Sequence, residues 1–346
     1  MREIYLPLHD GKAPYWLLNR MKKLASQITR LIIIEFGEME FIKRISNPIF
    51  FQSFSNILGF DWNSSGATTV LTGVLKAVLN NSEFEIRIAG GKGIHGLKTP
   101  EEIRNMAEKL GIDSEKIVKF SRLSAKADNS ALIDGYNLYH HAIFFTKKHF
   151  TVVQQGMNVQ EKMARRYHWE VYDEIPRFED VHSGIITDRF EKEVINMLSS
   201  KSKDSKMLFV DIMRDGTFRK DYEKLISISK KGKAFFVPRK IDWKAVEKAY
   251  DLKVSSFEDL LLIKGIGRET IRAFALISDL IYNVEYDKQD PAKYCFAVGG
   301  KDGVPFPVRR DIYDEVIEFM EEILKQSHLS DFEKNKALER LKAKKY

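Results

Sequence analysis

Five of the eight histidines in this 346-residue sequence lie between residues 140 and 182. His140, His141, His149, His168 and His182 share that stretch with Gln154-Gln155-Gly156, and Asp134 precedes it. Metal-dependent phosphodiester hydrolysis needs hard oxygen ligands for Mg²⁺ or Mn²⁺ and a group that activates or orients water for in-line attack. On that reading Asp134 and Glu85 supply the carboxylates, and His140 or His141 the base or ligand. Gln155, directly after the predicted hairpin, is a further catalytic candidate, and Lys92 clamps the phosphate charge. Neighbouring residues of a strand point to opposite faces, so His140 and His141 are not expected to share one metal. A hydrogen-bonded core imidazole is the alternative for each. The acidic-then-Glu-x-Lys pattern of many nucleases is not matched, because Arg87 follows Glu85 and the later strand ends in Gln154-Gln155. Gly90-Gly91-Lys92-Gly93 after a predicted strand has the composition of a phosphate cradle, without the spacing of a P-loop. Arg165-Arg166-Tyr167-His168-Trp169 interleaves cations and rings as single-strand binders do, or forms a packed aromatic cluster.

Hydrophobic residues make up 44% and charged residues 30% of the chain, which excludes wholesale disorder. A net charge of +7 permits an anionic partner without requiring one. The single cysteine, Cys295, excludes an intramolecular disulfide and an all-cysteine zinc site. No apolar run reaches the ~20 residues of a membrane span and MREIYLPLHD lacks a secretory core, so a soluble cytoplasmic protein is expected.

The periodicities predict an α+β fold. Leu17, Leu18, Met21, Leu24, Ala25, Ile28 and Leu31 form a helical stripe after Pro14. Thr99-Pro100-Glu101-Glu102 opens a helix with a capping box, and Gly111 ends it. Asp188 with Glu191 is expected to open another, carrying Phe190, Val194, Ile195 and Leu198. Strands are expected at Glu83–Ala89, at Ala142–Thr146 and Phe150–Gln154 as a hairpin, and at Met207–Ile212 and Ala234–Val237 around a helix over Tyr222–Ser229. The polar run Lys201–Lys206 reads as a linker. This divides the chain into a mixed α/β region with small sheets and the candidate chemistry (1–200), a basic α/β connector (201–241) and a helical region with a basic tail (242–346). Residues 201–240 hold 12 Lys/Arg against five acids, and the last 22 residues seven against three.

The sharpest motif is VSSFEDLLLIKGIGRETIRAFALISDLIY, residues 254–282. Ser255 and Glu258 read as a capping box, Leu260, Leu261 and Ile263 end a first helix, and Gly265-Ile266-Gly267 makes the turn into a second. This resembles a helix-hairpin-helix. The glycines permit the tight turn and close approach to a phosphate, and the second helix's free N–H groups and dipole favour an anion. Lys264, Arg268 and Arg272 add attraction to a DNA backbone, and Arg165 and Arg166 are further candidate DNA contacts. Such contacts position nucleic acid without reading bases.

A base-excision glycosylase uses a similar hairpin. Here Glu269 stands where its lysine would be, and Arg309-Arg310 follow the loop Gly299–Val308 where Val-Asp would be expected. Five segments together are similar to the family designated domain of unknown function 763, found in archaea and thermophiles. They are LPLHDGKAPYWLLNRM (Leu6–Met21), DGYNLYHHAIFF (Asp134–Phe145), VVQQGMN (Val152–Asn158), ARRYHW (Ala164–Trp169) and FAVGGKDGVPFPV (Phe296–Val308). The resemblance spans most of the chain but implies no activity; it favours reactive residues within those segments. The leading expectation is therefore a DNA-binding repair protein that is a Mg²⁺- or Mn²⁺-dependent nuclease. A non-catalytic DNA-binding scaffold in a repair or replication complex, and a diverged glycosylase, are the alternatives.

Overall fold

A computed structural model of the protein describes residues 15–59, 65–187, 189–230, 236–295, 310–327 and 330–342. Four helices open it: α1 (Tyr15–Phe36), α2 (Glu38–Ser46), α3 (Pro48–Ile57) and α4 (Ser65–Leu79). Met21, Ala25, Ile28 and Ile32 recur at three- and four-residue spacing along α1, and all four are fully buried. Asn47 caps α3 by accepting from the N–H groups of Ile49 and Phe50 at 2.9 and 3.1 Å, with Pro48 in the first turn.

β1 (Arg87–Lys92) starts later than expected and takes Gly90 and Gly91 into the strand. After α5 (Ile94–Leu97) come α6 (Thr99–Leu110), ended by Gly111 in the left-handed region, and α7 (Ser114–Lys126). The capping box foreseen at Thr99 is absent: Thr99 is already helical and its hydroxyl donates back to the Gly96 carbonyl. One π-turn (Ala127–Ala131) leads into β2 (Leu132–Ile133), β3 (Asn137–Phe145), β4 (Phe150–Asn158), β5 (Met163–Trp169), β6 (His182–Thr187) and β7 (Ile195–Asn196). The β3–β4 hairpin turns at Lys147-Lys148-His149 as expected, and both its strands are longer than the sequence suggested. With β8 (Tyr294–Cys295) these strands form a sheet in the order β1-β3-β4-β5-β6-β8, antiparallel except for β6 and β8, while β2 pairs with β7.

The helix expected around Asp188–Leu198 is not formed: Asp188 lies outside the described residues, and 189–194 runs without regular structure into β7. Backbone groups there serve long-range bonds, the Arg189 carbonyl accepting from Arg165 and the Glu191 N–H donating to Asp290. Lys201–Lys206 is a 3-10 turn leading into α8 (Lys203–Asp215), not a linker, and Met207–Ile212 is part of that helix rather than a strand. Phe209, Ile212 and Met213 are buried at helical spacing while Met207 is exposed. α9 (Phe218–Lys230), α10 (Trp243–Asp251), α11 (Phe257–Leu262), α12 (Arg268–Ile281), α13 (Arg310–Gln326) and α14 (Asp331–Lys342) complete the fold. Residues 234 and 235 of the last expected strand, and the turn His9–Lys12 and loop Gly299–Val308, lie outside the described residues.

The result is α+β in three layers. Ala89, Ile143, Val152, Trp169 and Ile185 on one sheet face pack with residues of α7 to α12. Ile88, Ala142, Phe144 and Val153 on the other face pack with α1 to α4, α13 and α14. The stretch 242–346 is thus divided across the sheet, its hairpin in one layer and its last two helices in the other. Within 201–241 the described elements are the two helices α8 and α9.

Between α11 and α12 the chain turns at Gly265, whose φ is +101°. A Cβ there would lie 2.3 Å from Asp242 Oδ2 and 2.6 Å from the Ala245 Cβ. Gly265→Ala is therefore expected to cost about 2–4 kcal/mol, from the left-handed backbone and the overpacking together. Gly267 is extended (φ −144°) with open space where its Cβ would be, so Gly267→Ala should cost no more than about 1 kcal/mol. Urea denaturation of both variants checks the difference; equal stabilities would refute the close packing of Gly265.

Candidate functional site

Alternation along β3 and β4 sends the expected chemical residues to both faces of the sheet. On one face the Ser121 hydroxyl lies 2.8 Å from His141 Nε2, and His141 Nδ1 lies 2.8 Å from Gln154 Oε1. An amide oxygen only accepts, which assigns the ring proton to Nδ1 and makes Ser121 the donor to Nε2. Gln154 Nε2 donates to Asp128 Oδ2 at 2.6 Å and to the Ser124 carbonyl at 3.1 Å. Asp128 also accepts from Trp169 Nε1 at 2.9 Å and pairs with His182 Nε2 at 2.7 Å. Every member of this chain is buried.

His140 and Gln155 face the opposite layer. His140 Nε2 is 3.1 Å from Thr72 Oγ1; since Thr72 donates to the Thr68 carbonyl, the imidazole donates to Thr72. Gln155 accepts from Thr68 and donates to the Tyr139 hydroxyl. Arg166 reaches Gln52 Oε1 at 3.1 Å, and His168 Nδ1 donates to the Ile45 carbonyl at 3.2 Å. His140 and His141 are thus held on opposite faces, as the two-residue period of a strand leads one to expect. Lys92 stands across the ladder from His140, so these two are brought together, with the Lys92 ammonium on the exposed strand end.

The two carboxylates proposed for a metal are not brought together. Glu85 precedes β1 at the Phe145 end of β3 and is ion-paired with Lys147 at 2.6 Å. Asp134 lies before the other end of β3, nine residues or about 30 Å of strand away. Buried Asp134 receives Arg165 at 3.1 Å, the Tyr167 hydroxyl at 2.7 Å and the Tyr136 N–H at 3.1 Å. Arg165 grips Asp290 with both guanidinium nitrogens, at 3.0 and 2.8 Å. Its burial makes it part of the core and removes it from a DNA-facing role; the same is true of Arg166. Among the described residues no group of three or more His, Cys, Asp and Glu is arranged to hold a metal ion. Nor is the glycine run a phosphate cradle: the Gly90 carbonyl accepts from Lys76, its N–H donates to Glu102, and a Cβ would lie 2.2 Å from the His141 carbonyl oxygen.

The hairpin keeps the form expected from its residues. Ile266 is fully buried, α12 has Gly267 as N-cap with no side-chain cap, and Lys264 is exposed. The first helix is capped one residue later than foreseen, by Ser256, which accepts from the Asp259 N–H; Glu258 instead accepts from the Phe178 N–H. Arg268 is committed to the protein, donating to the Asn129 and Tyr136 carbonyls and to Asn137 Oδ1, and Lys126 donates to the Ile266 carbonyl. Arg272, one turn further on, lines a cleft of about 910 Å³. Asp134 forms part of the floor of this cleft, and Lys192, Phe236, Tyr286 and Lys288 line it as well. Of the candidate site residues taken from the sequence, Asp134 and Arg272 alone meet there. The other four were missed, since nothing in their local pattern marks them; the helical spacing from Arg268 to Arg272 was the one available signal.

The molecule is thus an α+β protein with a helix-covered, mainly antiparallel sheet, and the glycine turn between α11 and α12 is packed on one face. The chain belongs to the family described as protein of unknown function (DUF763), which matches residues 3–308. No curated protein and no solved structure matches it. No described helix is long and apolar enough to cross a membrane.

The histidines have an electrostatic consequence. Burial holds His140 down to about 3, with His141, Lys92 and Lys76 adding to the effect. Burial also lowers His141, against the opposing Gln154 bond, and puts His168 well below the usual value, with Arg166 reinforcing it. An unfolded chain binds protons at imidazoles below about pH 6.5 while these stay neutral, so stability rises with pH in that window. It should be fully present above about pH 6.5 and fall on acidification by about 1.4 kcal/mol per pH unit for each histidine still neutral when folded. Urea midpoints at pH 7.5, 6 and 5 measure this; a flat profile would mean these imidazoles protonate freely in the native state.

Proposed function

We propose that this protein binds DNA through the phosphodiester backbone at the Gly265–Gly267 hairpin, as a non-catalytic component of DNA repair or replication. The observation that carries the reading is the uncapped start of α12. Its N-cap, Gly267, is extended, has no side chain, and faces open space. The 14-residue helix behind it brings the positive end of its dipole and its uncapped first-turn N–H groups to this point, which suits a phosphate. Buried Ile266 fixes the turn, and exposed Lys264 directly precedes it in the chain. Contacts of this kind hold a strand without selecting its sequence.

The nuclease reading gains less from the same geometry. Asp134 is spent on Arg165 and Tyr167, Glu85 is at the far end of β3, and the imidazoles of His140 and His141 are inside the two helical layers. Hydrolysis with Mg²⁺ or Mn²⁺ remains the competing proposal, and the glycosylase has no residue here that favours it.

Gly267→Glu decides the matter for the hairpin, because the backbone tolerates a side chain there while the carboxylate would repel a phosphate at the helix start. The variant should keep its melting temperature within a few degrees and lose about tenfold or more in affinity for labelled DNA by fluorescence anisotropy. Unchanged affinity would reduce the motif to a packing turn. DNA incubated with the protein and Mg²⁺ or Mn²⁺ should be recovered intact; metal-dependent products that vanish in a folded Asp134→Asn variant would establish the nuclease instead.

A further inference from the structure

The cleft beside α12 has a chemistry that backbone binding alone does not call for. It is bounded by Arg272 and Leu276 of α12, by Ile133–Gly135, by residues 189–195 and by Tyr286 and Lys288. Phe236, 66% exposed, lines it, with Tyr286 and the ring of Phe190. A large exposed ring beside cations is poorly explained as packing. Tyr286 has Lys288 over its ring at 5.1 Å. The charges of the cleft also sort themselves. Asp134 is neutralised by Arg165, Glu191 receives Arg189 and the Tyr136 hydroxyl, and Lys288 is held by Asp279. Arg272 and Lys192 form no ion pair among the described residues, and Glu193 at the exposed rim is the one lining carboxylate likewise without one.

Rings interleaved with cations are what an unpaired strand requires: every base offers a π-face for stacking, and every linkage an anion. A duplex hides its base faces and presents only edges and phosphates. We infer that this cleft binds an unpaired segment of DNA, its bases against Phe236 and Tyr286 and its phosphates at Arg272 and Lys192. The inference rests on the hairpin reading and extends it. Arg272 lies five residues beyond Gly267, about 7.5 Å along the helix axis, so a strand held at the hairpin has a short path into the cleft.

Fluorescence anisotropy with labelled dT16, a 16-base-pair duplex and dTMP as competitor tests both ideas separately. Phe236 and Lys192 are both exposed and Lys192 makes no ion pair among the described residues, so Phe236→Ala with Lys192→Gln should leave the melting temperature unchanged. The double variant is expected to bind dT16 about tenfold or more weakly while its duplex affinity moves by twofold or less, whereas Gly267→Glu should weaken both. Unaltered dT16 affinity in the double variant would overturn the cleft assignment, as would equal losses for dT16 and duplex. Competition by dTMP at concentrations near the dT16 dissociation constant would also overturn it, making the cleft a mononucleotide site. If wild type binds neither oligonucleotide, the hairpin reading falls as well.

Discussion

The guanidinium of Arg165 is the interaction on which the centre of the molecule depends. It is fully buried on β5, and it ties Asp134, Asp290, Thr187 and the Arg189 carbonyl to one planar group. Burial works against its charge, but Asp134 and Asp290 more than compensate, so the group stays protonated. Three of these partners come from segments without regular structure: the approach to β3, the stretch after β6 and the stretch before β8. The cation is what gives those segments defined positions. Removing one partner from such a set typically costs about 3–5 kcal/mol, because the remaining charge is left buried. Asp134 is therefore a structural acid first, and the position of the cleft follows from it, since Asp134 and residues 189–195 are held to Arg165 and together form one side of that cleft.

Asp128 has the matching role on the same face of the sheet. It sits on the one π-turn, where an extra residue in the helical ladder re-aims the side chain. Trp169, His182 and Gln154 all meet it, and through Gln154 it fixes the tautomer of His141 and the hydroxyl of Ser121. Most of the polar groups that look reactive in the sequence are satisfied by each other or by backbone inside the layers, although His140 Nδ1 and His168 Nε2 are buried without a hydrogen bond among the described residues. This is the outcome that burial demands, because an unpaired polar group in the interior costs far more than a hydrogen bond returns.

How much of this could be read beforehand depended on the range of the interactions. The hairpin was legible because its residues act locally: glycine at a positive φ, an apolar plug between, leucines at helical spacing. The β3–β4 hairpin and the separation of His140 from His141 follow from a two-residue period and were equally visible. Lys201–Lys206 misled because its hydroxyls look solvated. In the fold Ser205 meets Ser278 at 2.9 Å, Ser202 donates to the Asn196 carbonyl, and Lys206 donates to the Phe178 carbonyl. Met207–Ile212 is a short apolar run, which periodicity alone cannot assign to strand or helix. The expected helix at Glu191 failed because the backbone at Arg189 and Glu191 is claimed by Arg165 and Asp290, partners 24 and 99 positions away. The candidate site was half legible: Arg272 stood in the motif, whereas Phe236 and Tyr286 gain meaning only from the cleft that tertiary packing creates.

These layers explain where function can reside. A sheet covered on both faces leaves its core side chains, buried His140, His141 and His168 among them, no access to a large ligand. Among the described residues, the uncapped start of α12, exposed Lys264 near it and the ring-and-cation cleft along the same helix lie outside those covered faces. Backbone amides at a helix start carry no net charge and so remain exposed without the repulsion that a fourth or fifth cation would add. An anion that meets them gains hydrogen bonds whose geometry the fold has already fixed. The rigid interior, costly to perturb, is what keeps that geometry constant, so the buried ionic core and the open hairpin belong to one design.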